Sequence, residues 1–323
     1  MPSQRNHKKA LRVIFFGTPK ISAETLAFLL ENKINVVAVI TKPDRPQGRS
    51  KEPVPGHVKQ TLLSHSPHIP LFQPEIVSAM EFAPTLAAFE ADIFVVAAYG
   101  EIMRQHILDM PPLGCINVHY SLLPKYRGAA PIQQAIMHGE TETGISIIHM
   151  VKKMDAGDII KVARVPIGEN TTYGELADQL SVAGCHALLE VLREYESGDV
   201  PGQFAQDETL MTLAKKVELE NCQIDWQKPA SDVHNLVRGV NPEPGAWSIV
   251  NLKGENKRLK IKRTRVIKNL SGLPGSIVSY GKEGFVVACG ENAIEILELQ
   301  LEGKKPMLGL EFTRGFQVTF QTG

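Results

Sequence analysis

Residues 114–128 are Gly114-Cys115-Ile116-Asn117-Val118-His119-Tyr120-Ser121-Leu122-Leu123-Pro124-Lys125-Tyr126-Arg127-Gly128. Two polar side chains, Asn117 and His119, stand two positions apart in an otherwise apolar run, so on a β-strand they share one face. A loop with proline and glycine follows at once, which predicts that the pair lies at the carboxyl end of the strand. Ligands bind at that edge of an open parallel sheet. An amide donor beside an imidazole suits a carbonyl group whose oxygen becomes negatively charged during a reaction.

The chain before this strand alternates short apolar runs with helical patterns. Residues 11–16 and 36–41 are predicted to be buried strands, and residues 23–31 a helix whose N-cap is Ser22. This strand–helix–strand order is typical of a doubly wound, Rossmann-like α/β fold. Gly17, which ends the first run, is not part of a G-x-G-x-x-G pattern, so the sequence does not support a dinucleotide site.

The pattern changes after a long predicted helix over about residues 172–197. Residues 199–215 are polar and lack periodicity, which indicates a linker. Beyond it, short β-rich runs alternate with glycine-containing turns, as is typical of a small, OB-like β-barrel. We therefore expect a catalytic domain over residues 1–198, a linker over 199–215 and a β-barrel domain over 216–323.

The composition is that of an ordinary globular protein, with 323 residues, 35 basic and 35 acidic side chains and a net charge of zero. This length predicts two domains. The four cysteines are far apart, which argues against a zinc site or a redox dithiol, and we expect no metal. No apolar run approaches the ~20 residues of a membrane span. The basic N-terminal segment lacks the apolar core of a secretory signal and indicates a frayed tail. We therefore expect a cytoplasmic protein without a membrane partner. We also expect a monomer.

A resemblance that spans the Asn117 strand and a later loop indicates the chemistry. The pattern Asn-x-His-x-Ser-Leu-Leu-Pro-x-x-Arg-Gly, followed by Asp155-Ala156-Gly157-Asp158, resembles the folate-dependent formyltransferases. That superfamily moves a formyl group from 10-formyltetrahydrofolate to an amine. The resemblance implies that Asn117 and a protonated His119 stabilise the oxyanion, while Asp155 relays a proton and orients His119.

The same resemblance implies a folate-binding surface. It assigns folate contacts to the segment that follows the strand and to a second segment that lines the pteridine pocket: Ser121, Leu122, Leu123, Pro124, Tyr99 and Gly100. Tyr120 departs from the pattern, because family members often have a small residue between the histidine and the serine. Since Tyr120 faces away from His119 on a strand, we expect altered packing rather than lost activity.

The loop at residues 41–51 narrows the choice of the amine that is formylated. Its sequence, Thr-Lys-Pro-Asp-Arg-Pro-Gln-Gly-Arg-Ser-Lys, resembles the Pro-Asp-Arg-Pro-x-Gly-Arg loop of the methionyl-tRNA formyltransferases. The resemblance implies that the loop binds the acceptor end of methionyl initiator tRNA through Lys42, Arg45, Arg49 and Lys51. Arg49 occupies the position of the arginine that senses the weak first base pair of the initiator.

A basic run in the C-terminal half is a second candidate for RNA binding. Residues 253–268 carry eight basic side chains and one glutamate. On a strand, Arg258, Lys260 and Lys262 share one face, and such a stripe on a small β-barrel suits the phosphates of a tRNA. Phosphate contacts position RNA without reading its sequence, so activity should fall steeply with salt. The alternative is a solvated charged face that binds no RNA.

Three other functions have to be weighed against formyl transfer to methionyl initiator tRNA. A formyltransferase for an amino sugar linked to a nucleotide can share both domains, but the 41–51 loop argues against it. The hydrolase or dehydrogenase relatives, which release formate, would need a further domain or a different acceptor pocket. A catalytically silent tRNA-binding protein would have no chemical need for Asn117, His119 and Asp155 together. We therefore expect formyl transfer to the initiator.

Overall fold

The computed structural model describes residues 10–46, 52–315 and 319–320. The chain divides into two compact units. The first comprises the residues up to 127 together with 144–165 and 178–213, and the second comprises 128–143, 166–177 and the residues from 214 onward. Two short segments from the middle of the chain therefore belong to the same unit as its C-terminal third.

Helices and strands alternate through the first two thirds of the chain. In chain order they are β1 (Val13–Gly17), α1 (Lys20–Glu31), β2 (Val36–Ile40), β3 (Arg45–Pro46), β4 (Pro53–Val54), α2 (His57–His65), β5 (Leu71–Phe72), α3 (Ala83–Ala87), β6 (Ile93–Ala97), α4 (Gln105–Leu108), β7 (Cys115–His119), β8 (Arg127–Gly128), α5 (Pro131–Met137), β9 (Glu142–His149), β10 (Ile159–Pro166) and α6 (Tyr173–Ser197).

Strands dominate the rest of the chain. They are joined by two helices, and two short 3₁₀ turns at Glu208–Leu210 and Leu219–Cys222 precede most of them. The elements are β11 (Leu213–Ala214), α7 (Ala230–Gly239), β12 (Ala246–Leu252), β13 (Glu255–Ile267), β14 (Ile277–Tyr280), β15 (Phe285–Ala288), β16 (Ala293–Leu301), β17 (Met307–Leu308), α8 (Gly309–Gly315) and β18 (Thr319–Phe320).

The first sheet positions the Asn117 strand. Its seven strands are ordered β10-β9-β7-β6-β1-β2-β5, and the five from β7 to β5 run parallel. Strands β1 and β6 are buried along their whole length, which explains their continuous apolar sequences. Strand β9 pairs antiparallel with β7 and covers its other edge. The strand order reverses between β1 and β6, and β7 is the next strand beyond β6, so the carboxyl end of β7 lies beside the crevice at which open α/β sheets bind ligands.

The first helix begins earlier than predicted, and its predicted cap is wrong. Helix α1 starts at Lys20 with Pro19 as its N-cap, not at residue 23 after Ser22. The Ser22 side chain is buried within the first turn, and its hydroxyl donates a 2.5 Å hydrogen bond to the carbonyl oxygen of Ala97. Ser22 thus ties α1 to the end of β6 instead of capping the helix, a role that only the tertiary structure reveals.

The long helix α6 confirms its predicted bounds and shows why it starts there. The Thr172 backbone N–H donates to Glu175 Oε2 at 2.8 Å, and the Glu175 N–H donates back to Thr172 Oγ1 at 3.3 Å. This reciprocal pair is a capping box, which satisfies backbone donors that the first turn leaves unpaired. The pKa of the Glu175 carboxyl falls to about 2, first because of the Thr172 backbone hydrogen bond and then because of Arg263.

The second unit is built around an antiparallel sheet. Its strands pair in the order β14-β15-β16-β13-β12-β18, with β17 beside β16. One core lies beneath it and includes Trp226, Phe285 and Phe312, with Val233 and Val237 of α7 packed into it. Together with the α/β sheet, this antiparallel sheet confirms the predicted fold class. In the described part of the chain, no helix is both long enough and apolar enough to cross a membrane.

Candidate active site

His119 ends β7 with its imidazole buried and both ring nitrogens facing protein groups. Only 5 % of the side chain is exposed. Nε2 lies 2.9 Å from the carbonyl oxygen of Tyr126, which can only accept, so Nε2 carries a proton. Nδ1 lies 3.6 Å from Oδ2 of Asp155, and that carboxylate is itself largely buried. This separation is too long for a hydrogen bond but suits an ion pair when the ring is protonated. The structure thus brings His119 and Asp155 together, as the resemblance implies.

Asn117 lies two residues earlier on the same face of β7. The strand runs between β6 and β9, where Asn117 pairs with Val96 on one side and Ile148 on the other. Its side chain is half-buried and makes no hydrogen bond with any of the described residues. A half-buried amide without a protein partner has its donors available to a ligand. The sequence prediction that both polar groups face one site therefore agrees with the strand geometry.

The loop that carries Asp155 has an unusual backbone. Asp155 has a φ of 50°, in the left-handed region that disfavours side chains with a Cβ by about 1–2 kcal/mol. Gly157 approaches β9 so closely that a Cβ atom there would lie 1.7 Å from the carbonyl oxygen of His149. Only glycine fits this position. Such strained residues persist where the surroundings hold them in place, and they cluster at functional sites.

A long-range contact holds this loop, and sequence reasoning assigned it no role. The Gln206 side-chain amide donates to the carbonyl oxygens of Asp155 at 2.8 Å and of Gly157 at 2.7 Å. Its Oε1 accepts from Nε and Nη2 of Arg127 at 3.0 and 2.7 Å. Arg127 lies in the 114–128 segment that carries the family resemblance, whereas Gln206 lies in the predicted linker, so no local pattern in the sequence indicates this contact.

Arg127 is buried, with 2 % of its surface exposed, and its guanidinium donates hydrogen bonds to nearby acceptors. Besides Gln206, its guanidinium donates to Glu208 at 2.8 Å. Glu208 also pairs with Lys153 at 2.6 Å, and the two bases together hold the pKa of its carboxyl at about 2, Arg127 having the larger effect. A buried guanidinium needs such partners, because an unpaired buried charge is strongly destabilising.

The predicted folate segment is shaped by internal hydrogen bonds. The Ser121 hydroxyl is buried and donates to the Lys125 carbonyl oxygen at 2.6 Å, and Leu123 packs against Ile148 and Ile159. These two side chains fix the loop. Leu122 and Pro124 are only half-buried, so they are the members of this segment whose side chains are accessible to a ligand.

Tyr99 and Gly100 are placed differently from one another. The Tyr99 side chain is 2 % exposed and packs edge-on against Phe16, with ring centroids 5.8 Å apart. Its hydroxyl has no partner among the described residues, and burial raises its pKa. A folate contact by Tyr99 would therefore involve its backbone, not its ring. Gly100 is exposed, with a φ of 81°. Tyr120 is also buried.

The predicted RNA-binding loop is described only in part. Lys42 pairs with Glu101 and lies over the Tyr99 ring, 5.0 Å from its centroid. Arg45 pairs with Glu75 at 2.6 Å, and both side chains are exposed. Arg49 and Lys51 lie outside the described residues. The two described bases therefore each have an acidic partner within the chain.

The basic run in β13 has fewer uncompensated charges than its sequence indicates. Arg258 stacks over the ring of Trp247 at 4.4 Å, and Lys260 donates to the Pro244 carbonyl oxygen at 2.9 Å. Arg258, Lys260 and Lys262 have no acidic partner within the described residues. A bulge at Arg263 shifts the register of β13 against β16. Beyond it, Arg263 pairs with Glu175 at 2.8 Å and Arg265 with Glu295 at 2.6 Å, so their charges are compensated within the protein.

No metal-binding constellation occurs in the described part of the chain. Residues 10–46, 52–315 and 319–320 contain no group of three or more His, Cys, Asp or Glu side chains that could hold an ion. The four cysteines are buried and unpaired. Burial raises the pKa of Cys115 to about 12, which keeps its thiol protonated.

Two family models match the chain. The formyl transferase model matches residues 11–192, and the model of the formyl transferase C-terminal domain matches residues 216–317. The methionyl-tRNA formyltransferase of Protochlamydia amoebophila (strain UWE25) is 56 % identical over 311 residues, which cover 96 % of each chain. That of Chlamydia pneumoniae is 43 % identical over 309 residues, or 95 % of each chain.

Solved structures share the fold at low sequence identity. WlaRD, a sugar 3N-formyl transferase crystallised in the presence of dTDP and 5-N-formyl-THF, matches with a TM-score of 0.66 at 17 % identity, over 92 % of this chain and all of WlaRD. HypX from Aquifex aeolicus in complex with tetrahydrofolic acid matches with a TM-score of 0.63 at 17 % identity. That match covers 94 % of this chain but only 47 % of HypX, so the chain spans about half the length of HypX.

Proposed function

This chain belongs to the formyl transferase family, and we propose that it transfers the formyl group of 10-formyltetrahydrofolate to the free amino group of methionyl initiator tRNA. The product is formylmethionyl-tRNA, which starts translation. The observation that carries the proposal is the arrangement at the end of β7, where His119 Nδ1 faces Asp155 at 3.6 Å and Asn117 shares the strand face. The names of the relatives support methionyl-tRNA as the acceptor.

Asn117 and His119 stabilise the charge that develops during transfer. The amine attacks only when neutral, and a free α-amino group titrates at roughly 7.7–8.0, so part of it is competent near neutral pH. Attack on the formyl carbon moves negative charge to the formyl oxygen. Asn117 supplies amide N–H groups to that oxygen, and a protonated His119 supplies positive charge beside it. Because Nε2 donates to the Tyr126 carbonyl oxygen, Nδ1 is the ring nitrogen that faces Asp155.

Asp155 acts on the protons. Its carboxylate faces the imidazole of His119 and orients the ring. Through a water molecule it accepts the proton that the attacking nitrogen loses, and it returns a proton to the folate nitrogen from which the formyl group departs. The balance is one proton taken from the amine and one given to the folate product. No covalent intermediate on the protein is needed.

Folate and tRNA are assigned to separate surfaces. We place folate beside Leu122 and Pro124, whose side chains are accessible, and beside the Gly100 backbone. The buried residues Ser121, Leu123 and Tyr99 pack beneath that surface. The tRNA acceptor end is assigned to the 41–51 loop, where Arg49 senses the first base pair. Its phosphates are assigned to Arg258, Lys260 and Lys262, the bases of β13 whose charge is not compensated by described acidic groups.

The reaction is proposed to take place in the cytoplasm by a monomer. Asn117, His119 and Asp155 all come from one unit of one chain, so the chemistry needs no second copy. The relatives that carry the same name come from bacteria, in which translation takes place in the cytoplasm.

The proposed roles are tested by substituting the three residues one at a time. Asn117→Ala, His119→Ala and Asp155→Ala should each lower kcat by about 10²–10⁴-fold, because each removes a group that acts mainly in the transition state. The KM for 10-formyltetrahydrofolate should change much less. His65→Ala, at the exposed end of α2, is the control and should retain turnover. Near-normal kcat in all three site variants would reject the assignment.

A further inference from the structure

We propose that Gln206 is a positioning residue for formyl transfer, and that Arg127 orients it. The inference rests on the proposed role of Asp155. Gln206 lies in the segment that sequence analysis assigns to a linker, yet its side chain reaches back across 51 positions to the Asp155 loop. Gln206 touches no reacting atom in this scheme. It acts on the reaction by fixing where the Asp155 carboxylate lies relative to His119.

The contacts of Gln206 use both ends of its amide. The nitrogen donates to two carbonyl oxygens of the same loop, those of Asp155 at 2.8 Å and Gly157 at 2.7 Å. The oxygen accepts two hydrogen bonds from one edge of the Arg127 guanidinium, from Nε at 3.0 Å and from Nη2 at 2.7 Å. A guanidinium only donates, so it fixes which end of the amide is oxygen and which is nitrogen. Arg127 thereby turns the amide N–H groups towards the loop.

The anchor is rigid because Arg127 is itself held. Its guanidinium is buried and also donates to Glu208 at 2.8 and 3.3 Å. Its backbone N–H donates to the Thr212 carbonyl oxygen at 2.9 Å. Arg127 comes eight residues after His119 in the chain, so the network links the loop after β7 to the Asp155 loop. This chain of contacts therefore connects the segment that follows His119 to the loop that carries Asp155.

The Asp155 loop needs such support for a local reason. Asp155 adopts a φ of 50°, which an isolated loop would leave for a more favourable conformation. The two bonds from Gln206 hold the carbonyl groups on either side of Ala156 and so keep this conformation. A displacement of a reacting group by about 1 Å can lower the rate by about 10²-fold.

The first test exchanges the amide for groups of similar size. Gln206→Glu keeps an acceptor for Arg127 but places an oxygen against two carbonyl oxygens, and Gln206→Met removes donor and acceptor without adding charge. Both should lower kcat by about 10–10²-fold with little change in the KM for 10-formyltetrahydrofolate. The control is Asn32→Asp, which makes the same exchange in an amide that donates to the Phe28 carbonyl oxygen at 2.8 Å. It should retain kcat.

A double-mutant cycle separates positioning from general support of the fold. In the Asp155→Ala background, Gln206→Met should have no further effect on kcat beyond about two-fold, because the group it positions is absent. Equal effects of Gln206→Met with and without Asp155 would overturn the inference, as would normal kcat in both Gln206 variants. If Asp155→Ala itself retained turnover, the proposed role of Asp155 would fail instead, so the two failures are distinguishable.

Discussion

Replacement of Gly157 by alanine is the most direct perturbation of the Asp155 loop. The new Cβ atom would lie 1.7 Å from the carbonyl oxygen of His149, and 2.8 Å from its carbonyl carbon. His149 ends β9, where it pairs with Ile116 of β7, so the obstacle is sheet backbone that has little freedom to move. The loop must move instead. It would do so against the hydrogen bond from the His149 N–H to the Asp158 carbonyl oxygen, which is 3.0 Å long.

The size of the displacement follows from these distances. Real Cβ atoms essentially never approach another heavy atom closer than 3.0 Å, so the loop must move by at least about 1.3 Å. The Asp155 carboxylate, two residues away, now lies 3.6 Å from His119 Nδ1. A shift of this size is comparable to the misplacement that lowers rates by about 10²-fold. Overpacking of this kind also lowers the free energy of unfolding by about 1–3 kcal/mol.

Steady-state formyl transfer with saturating methionyl initiator tRNA measures the effect. We expect Gly157→Ala to lower kcat by about 10²-fold while the protein stays folded at 25 °C, as followed by thermal unfolding. Gly202→Ala is the control, because a Cβ there would meet nothing within 4 Å. A Gly157→Ala protein with normal kcat would refute the claim that the position of this loop controls the reaction.

Two further predictions concern charge. Arg127 and Lys153 lower the pKa of the Glu208 carboxyl from 4.5 to about 2, so its ion pairs stabilise the fold fully above pH 4.5 and are lost as the pH falls towards 2. In calorimetric scans, Glu208→Gln should therefore unfold at a lower temperature than the unaltered protein above pH 4.5 and at the same temperature near pH 2. A difference in unfolding temperature that stays constant with pH would contradict this. Lys262→Ala should raise the KM for tRNA and reduce the slope of log(kcat/KM) against log[salt] by about 1. Lys257→Ala is the control and should reduce the slope less, because Lys257 already pairs with Glu255 at 2.9 Å, and equal slopes would count against the phosphate surface.

The elements predicted from sequence were those with a local signal. Alternation along β7 placed Asn117 and His119 on one face, and continuous apolar runs identified the buried parallel strands. The bounds of α6 were predicted from its helical pattern, and the structure shows Thr172 and Glu175, three positions apart, capping its first turn. In each case the residues that determine the structure are close in the chain, so composition and spacing carry the information.

The elements that were missed depend on contacts between distant parts of the chain. Ser22 bonds to a carbonyl group 75 positions away, and Gln206 reaches a loop 51 positions away, so neither role has a local pattern. The burial of the Tyr99 ring depends on its packing against Phe16. The sequence of the basic run suggested more uncompensated positive charge than the structure has, because Arg263 and Arg265 pair with acidic residues from elsewhere in the chain.

The central claim is that this chain formylates methionyl initiator tRNA. It is tested most directly by measuring formyl transfer from 10-formyltetrahydrofolate to three acceptors in parallel: methionyl initiator tRNA, methionyl elongator tRNA and a nucleotide-linked amino sugar. We expect fast transfer to the initiator alone. Transfer to the amino sugar instead would keep the roles of Asn117, His119 and Asp155 but contradict the assigned acceptor. Binding of tRNA with no transfer to any acceptor would contradict the catalytic assignment itself.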